Sequence, residues 1–157
     1  MINLIGTYEA KSDAKGRVMM PNALKKQLSP VIADSFVLKR SMFQSCLELY
    51  PMQEWEKIMI QVGKLNRFSK KNNDFIRRLT AGVKVVSVDA SGRILLSKDL
   101  LSFAKISKNI VFSSSINFVE LWDKDLYEAA VLDEDGGLAD LAEEVMGGIN
   151  FEEDGIS

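Results

Sequence analysis

The chain has 157 residues, of which 46% are apolar and 27% charged, proportions typical of a soluble globular protein of one or two small domains. It contains no histidine and one cysteine, which excludes catalytic histidine pairs, internal disulfides and multi-cysteine zinc sites. Because a GxxxxGK phosphate loop is missing too, we expect no enzyme, no catalytic residues, no cofactor and no metal. No apolar run approaches the ~18 residues of a membrane span, and no secretory signal pattern is visible, so we expect a cytoplasmic protein without a membrane partner.

Charge is divided unevenly along the chain. Residues 133–157 hold nine acidic residues and no lysine or arginine, whereas residues 1–132 hold 20 basic and 13 acidic residues, a net charge of +7. A basic body indicates a polyanionic partner such as nucleic acid. The end of the chain, 127–157, is predicted to form a short helix followed by an acidic, flexible tail.

The first predicted element is a hairpin at residues 13–21, which read Asp-Ala-Lys-Gly-Arg-Val-Met-Met-Pro. An aspartate that accepts backbone N–H bonds and a glycine that tolerates positive φ are typical of a tight turn between two strands. Further elements are predicted downstream in this order: a short helix at 23–28, strands around 36–38 and 47–50, and a helix from Trp55 to Val62 with apolar residues at helical spacing.

Residues 54–82 form a predicted basic connector of helical character. Its part from 63 to 82 has six basic residues and one acidic residue, and its apolar residues indicate helix with a break near Lys70–Asn73. A charged run of this kind is more often a solvated helix face than a binding surface.

The pattern of the first half returns in the second half. Residues 89–97 read Asp-Ala-Ser-Gly-Arg-Ile-Leu-Leu-Ser and follow the first turn at a separation of 76 positions. The later strands also return in order: 36–38 as 110–112, and 47–50 as 119–122. We therefore predict two tandem repeats, 7–53 and 83–126, with the connector between them.

Each predicted turn ends in an arginine, Arg17 in the first repeat and Arg93 in the second. A guanidinium held near a loop tip suits two hydrogen bonds to a phosphate or to the edge of guanine, and a repeated arginine hairpin suits a β-ribbon in a DNA groove. The alternative is structural, because each arginine stands four residues after an aspartate and the two could pair across the hairpin. The residues alone leave both interpretations open.

The duplicated motif, residues 13–17 and 89–93, resembles the paired Asp-x-x-x-Arg motif of the MraZ family, together with Gly6-Thr7-Tyr8-Glu9 and the Leu-Tyr and Leu-Trp ends of the later strands. The resemblance covers residues 1–132. It implies an α+β, mainly β fold: a pseudo-twofold, swapped-hairpin β-barrel of the SpoVT-AbrB (AbrB-type) kind, built from two tandem repeats with short flanking helices. It further implies a homo-oligomer, a ring.

The function implied by the resemblance is that of a nucleoid-associated transcriptional regulator. It would repress the division and cell-wall gene cluster by binding G-rich direct repeats in double-stranded DNA at the promoter. The alternatives are an AbrB-type antitoxin, which would bind a toxin partner, and an oligomeric interaction module that binds no DNA.

Carried over residue by residue, the family motif implies two roles for the turn residues. The basic residues would be the DNA contacts: Lys15, Arg17 and Arg93. The aspartates and glycines would organise the turns, the glycines also letting each tip approach the duplex: Asp13, Gly16, Asp89 and Gly92. The second turn has Ser91 where the first has Lys15, which makes the second copy the less basic one.

Overall fold

Strands and helices follow the same order in the two halves of the chain. The computed structural model describes residues 2–132 and 137–148. The first half contains β1 Thr7–Lys11, β2 Arg17–Met19, α1 Asn22–Leu28, β3 Phe36–Arg40, β4 Leu47–Pro51 and α2 Met52–Val62. The connector contains α3 Lys70–Thr80. The second half contains β5 Lys84–Val86, β6 Arg93–Leu95, α4 Lys98–Ala104, β7 Asn109–Ser115, β8 Phe118–Asp123 and α5 Lys124–Val131.

The strands pair reciprocally between the two repeats. They form a six-stranded antiparallel sheet in the order β1-β7-β8-β4-β3-β5 and a separate two-stranded sheet, β2-β6. The first strand of each repeat pairs with the third strand of the other, β1 with β7 and β5 with β3, while β4 pairs with β8 and β2 with β6. The long-range pairings therefore join the halves into one unit.

The predicted mixed α+β, mainly β class built from two repeats is confirmed. The larger sheet has two edges, since β1 pairs only with β7 and β5 only with β3 among the described residues. Closure into a barrel is thus not observed within 2–132 and 137–148, and the closed swapped-hairpin barrel stays a prediction.

The two-stranded sheet is fixed to the core by its central residues. Val18 and Ile94 face each other in the β2–β6 register and are 0% and 1% exposed. They belong to one hydrophobic cluster with side chains such as Phe36 and Phe112 from the larger sheet. Burying an aliphatic side chain of this size stabilises the fold by about 1.5–3 kcal/mol. The buried pair therefore fixes which face of the two-stranded sheet is exposed.

The helices agree with the sequence pattern except in the connector. The predicted break near Lys70–Asn73 is wrong, because α3 begins at Lys70 and the break lies at residues 63–69. The Oγ of Ser69 accepts a hydrogen bond of 3.2 Å from the backbone N–H of Asn72. This bond satisfies one of the free donors at the helix start, which makes Ser69 the N-cap.

The chain divides into two compact units, residues 1–127 and 128–157. The second unit contains the end of α5 and α6 Gly137–Met146, a helix of 10 residues. The predicted flexible tail otherwise falls on 133–136 and 149–157, which lie outside the described residues. Each helix in the described ranges is too short or too polar to cross a lipid bilayer.

Candidate nucleic-acid interface

The first arginine turn is organised by hydrogen bonds to its aspartate. Asp13 Oδ1 accepts the backbone N–H groups of Lys15 and Arg17, both at 2.9 Å, and the Asp13 carbonyl accepts the N–H of Gly16 at 3.1 Å. The backbone N–H of Arg17 is the main cause that lowers the pKa of Asp13 below its ordinary value. Asp13 is therefore ionised at neutral pH and holds the Arg17 backbone in place.

The second turn repeats this network. Asp89 Oδ1 accepts the N–H groups of Ser91 and Arg93, both at 2.9 Å, and the Asp89 carbonyl accepts the N–H of Gly92 at 2.9 Å. The backbone N–H of Arg93 is again the main cause that lowers the pKa of the aspartate. The two turns thus share one backbone design.

Both arginine side chains contact the aspartate of their own turn through Nε. Arg17 Nε donates to Asp13 Oδ2 at 2.7 Å, whereas Arg93 Nε lies 3.4 Å from Asp89 Oδ2 without forming a hydrogen bond. The internal ion pair considered as the structural alternative is therefore present in both turns. The side chains remain 40% and 34% exposed. Within the described part of the chain, their terminal Nη nitrogens make no hydrogen bond and are available to another acceptor.

The turn glycines face the opposite repeat. Gly16 and Gly92 have φ values of +83° and +84° and are buried. The Gly16 carbonyl accepts the N–H of Leu96 at 2.8 Å, and the Gly92 carbonyl accepts the N–H of Met20 at 3.0 Å. A Cβ at Gly16 would collide with the Leu96 carbonyl oxygen. These contacts explain both glycines by packing inside the protein, and their expected role in the approach to a duplex stays a prediction.

The register of β2 and β6 brings the two arginines to one face. Arg17 lies opposite Leu95, and Met19 lies opposite Arg93. Because side chains alternate along a strand, these four share the face opposite the buried centre of the ribbon. Diagonal neighbours in such a pair have Cα atoms roughly 7–8 Å apart. Met19 and Leu95 are 48% and 56% exposed. We call this face, formed by Arg17, Met19, Arg93 and Leu95, the arginine ribbon.

A lysine from the first repeat lies over the second turn. A Cβ built on Gly92 would stand 2.5 Å from Lys25 Nζ, so α1 carries this cation to the turn of the other repeat. The equivalent place over Gly16 is taken by Leu101 of α4, whose Cδ1 would stand 3.3 Å from a Cβ built there.

Lys25 therefore provides the second turn with the positive charge that its own loop lacks. The first turn has Lys15 within the loop, the second has Ser91 there and Lys25 above it. Lys25 and Leu101 are separated by 76 positions, as the two turns are. That separation was visible in the sequence, but its meaning depends on the pairing of β2 with β6, which the sequence alone does not display.

Cys46 offers no reactive thiol. It is buried, and burial raises its pKa to about 12, so the thiol stays protonated at neutral pH. Within residues 2–132 and 137–148, no three Cys, Asp or Glu side chains are grouped as metal ligands would be.

Comparison with known proteins identifies the family. A sequence model described as "MraZ protein, putative antitoxin-like" matches residues 4–78 and 79–143. The protein named "Transcriptional regulator MraZ" in Flavobacterium psychrophilum is 61% identical over 100% of both chains, and the one in Christiangramia forsetii is 64% identical over 100% of both. The protein of the same name in Thermoanaerobacter sp. is 33% identical over 89% of this chain and 94% of its own length. With nearly the whole chain matched, this protein belongs to the MraZ family, whose members are transcriptional regulators rather than enzymes.

Proposed function

We propose that this protein is a sequence-specific DNA-binding transcriptional regulator and that the arginine ribbon contacts the DNA. The observation that carries the proposal is the position of Arg17 and Arg93 on one exposed face, with terminal nitrogens that make no hydrogen bond to the described residues. The name "Transcriptional regulator" given to its relatives supports the functional class.

The chemistry of the ribbon suits the major groove. That groove is about 12 Å wide and admits a two-stranded ribbon, and an arginine fork there donates two hydrogen bonds to guanine O6 and N7. Each aspartate lies beside Nε of its arginine and forms a hydrogen bond to it in the first turn, which would orient the guanidinium while the Nη atoms meet the base or a phosphate. The exposed apolar pair, Met19 and Leu95, provides contacts for thymine methyl groups or sugars. Because arginine forks favour guanine, this chemistry agrees with the G-rich direct repeats that the family resemblance implies.

The lysines of the two turns would contact phosphates. Lys15 and Lys25 add one cation to each turn, so each turn has two cations and one aspartate. A single protomer would neutralise only a few phosphates, and its affinity would fall with a modest slope as salt rises. Several protomers acting together on direct repeats would bind far more tightly through effective concentration.

We further propose that the protein forms a homo-oligomer, a ring, through apolar side chains away from the arginine ribbon. Phe68, between α2 and α3, is 101% exposed, and Phe43, between β3 and β4, is 85% exposed. Exposed aromatic side chains of this kind mark protein–protein contacts. The ring, bound at its own promoter, would repress the division and cell-wall gene cluster and associate with the nucleoid.

Fluorescence anisotropy across a salt series tests the DNA contact. The labelled duplex has several G-rich direct repeats, and a duplex of the same composition with the repeats scrambled serves as reference. The variant Arg17→Ala is compared with Arg77→Ala, because Arg77 also pairs with an aspartate, Asp74, at 2.9 Å on an exposed helix face. Circular dichroism confirms that both variants are folded.

We expect wild type and Arg77→Ala to prefer the G-rich duplex and Arg17→Ala to lose most of the binding. Equal affinity of wild type for both duplexes would contradict sequence specificity. No binding to either, with a lowered melting temperature for Arg17→Ala, would instead favour the interaction module, in which the Asp13–Arg17 pair is structural.

Oligomer and repression have separate tests. Light scattering coupled to size exclusion should give an assembly for wild type and a smaller species for Phe68→Ser, with Ile116→Ser as an exposed apolar control outside the connector. Expression of a reporter gene fused to the upstream region of this protein's gene should fall when the protein is produced. A rise in reporter expression would instead make the protein an activator.

A further inference from the structure

A large cavity lies away from the arginine ribbon. Its volume is about 950 Å³, within the range of small-molecule sites. It is formed by the end of β3 and the residues that follow, by one face of α3, and by Phe103 of α4. None of its lining residues belongs to either arginine turn or to the arginine ribbon, so the proposed DNA contact leaves this cavity unexplained.

Positive charge dominates the cavity lining. The cations that make no salt bridge with any described residue are Arg40, Lys70, Lys71 and Arg78. The one acidic residue of the lining, Asp74, pairs with Arg77 at 2.9 Å. Four uncompensated cations around one concave space repel each other, and a polyanionic ligand would relieve this repulsion.

Arg40 is held in place while one of its donors stays unused. Its guanidinium carbon lies 5.3 Å from the centroid of the Phe103 ring, which fixes the side chain by a cation–π contact. Its Nε is buried and has no hydrogen-bond partner among the described residues. Buried donors are almost always satisfied, so this lining cation keeps hydrogen-bonding capacity that no described residue uses.

Aromatic rings stand beside these cations. Phe75 is 40% exposed and lines the cavity from α3, while Phe103 lines it from α4. A planar aromatic base stacks on such a ring, and phosphates bind to clustered lysine and arginine side chains. A duplex is too wide to enter a cavity of this size, whereas one nucleotide fits it.

We propose that this cavity binds a nucleoside triphosphate, with the phosphates on the cations of α3 and on Arg40 and the base against Phe75. The proposal goes beyond DNA binding and does not rest on it. It also gives the basic connector a role other than that of a solvated helix face.

Isothermal titration calorimetry on the full chain without DNA tests the proposal. The ligands are ATP, GTP, tripolyphosphate and adenosine, which separate the contribution of the phosphates from that of the base. The cavity variants are Lys71→Gln, Arg78→Gln and Phe75→Leu. The matched control is Lys64→Gln, because Lys64 is an exposed cation of the same connector that does not line the cavity.

We expect ATP and GTP to bind and tripolyphosphate to bind about 10-fold more weakly, as the loss of one base–aromatic stack predicts. Adenosine alone should give no heat. Lys71→Gln and Arg78→Gln should each lower the affinity for ATP at least about 5-fold, because each removes one charge-assisted phosphate contact. Lys64→Gln should leave the affinity for ATP unchanged. Phe75→Leu should remove the advantage of ATP over tripolyphosphate.

Three results would overturn the proposal. The first is no ATP binding by the wild type. The second is an equal loss in Lys64→Gln and Lys71→Gln, which would mean unspecific attraction to a basic surface. The third is tripolyphosphate binding as tightly as ATP, which would mean an inorganic polyanion site. If Lys71→Gln weakened DNA binding while wild type bound no ATP, the cavity wall would be a DNA contact instead.

Discussion

The two arginine turns have the same backbone but obtain their second cation in different ways. In the first turn Lys15 belongs to the loop, and Leu101 of the other repeat covers Gly16. In the second turn the loop has a serine, and Lys25 of the other repeat lies beside Gly92. The two turns therefore have the same number of cations only when both repeats are counted together, because the second cation of the second turn comes from the other repeat. The surroundings of each turn therefore come from both repeats together.

The largest expected effect on DNA binding comes from the arginines themselves. Arg17→Ala and Arg93→Ala should each cost about 1–3 kcal/mol of DNA binding, because each removes a fork that, in the proposed function, contacts base or phosphate. We expect the two losses to agree within about 3-fold, since the turns are equally charged, and to combine in the double variant. Anisotropy titrations at one salt concentration measure this. Near wild-type affinity for Arg93→Ala would restrict the contact to the first turn.

Substituting the two turn glycines should lower the free energy of unfolding by different amounts. Alanine at either position enters a left-handed conformation, which costs about 1–2 kcal/mol. At Gly16 the new methyl group also meets the Leu96 backbone, whereas at Gly92 it meets the flexible end of Lys25. Gly16→Ala should therefore lower the free energy of unfolding by about 3 kcal/mol and Gly92→Ala by about 1–2 kcal/mol. Urea denaturation compares the two, and equal losses would contradict the different surroundings.

The lysine over the second turn should have a smaller effect on DNA binding, which a rescue variant can isolate. Lys25→Ala should weaken binding about 5-fold and reduce the salt slope by about 1, as expected for one phosphate contact. Adding Ser91→Lys moves the cation into the loop, as in the first turn, and should restore both values. If the double variant stays as weak as Lys25→Ala, Lys25 acts through packing of α1 and not through its charge.

The smallest effect concerns pH. The folded pKa values of Asp13 and Asp89 lie below the ordinary value of about 3.9, so in that interval the unfolded chain binds more protons. Their contribution to stability is complete above the unfolded pKa and is lost as pH falls through the folded pKa. The variant Asp13→Asn/Asp89→Asn keeps an oxygen acceptor without titrating. Its melting temperature should approach that of wild type below about pH 4, and a constant difference from pH 6 to pH 3 would contradict this.

Local features of the fold were predictable from the sequence. The Asp-x-x-Gly-Arg spacing predicts both turns because aspartate and glycine specify turn geometry over a few residues. The short helix predicted at 23–28 is also present, as α1 Asn22–Leu28. The position of the break in the connector was not predictable, because the apolar spacing is compatible with helix on either side of Lys70. The start of α3 depends on the N-cap at Ser69.

Features that depend on contacts between distant residues were not predictable. Lys25 meets the second turn only because β2 pairs with β6, and no local pattern encodes which turn lies under α1. The cationic cavity brings Arg40 of β3 next to α3, which begins 30 residues later. The six basic residues of the connector appeared as a solvated face, because helical spacing gives no information about a cavity wall made by another strand.

The reciprocal pairing of strands has an evolutionary consequence. A half chain with one turn would leave its strands unpaired and would fold only as a symmetric dimer of two identical halves. Such a dimer has the same residue over both turns and favours palindromic operators, because operator symmetry mirrors protein symmetry. In a single chain the two halves can differ, and Lys25 and Leu101 occupy equivalent places. A chain whose two halves differ would have a direction along the DNA, which the direct repeats of the proposed function would require.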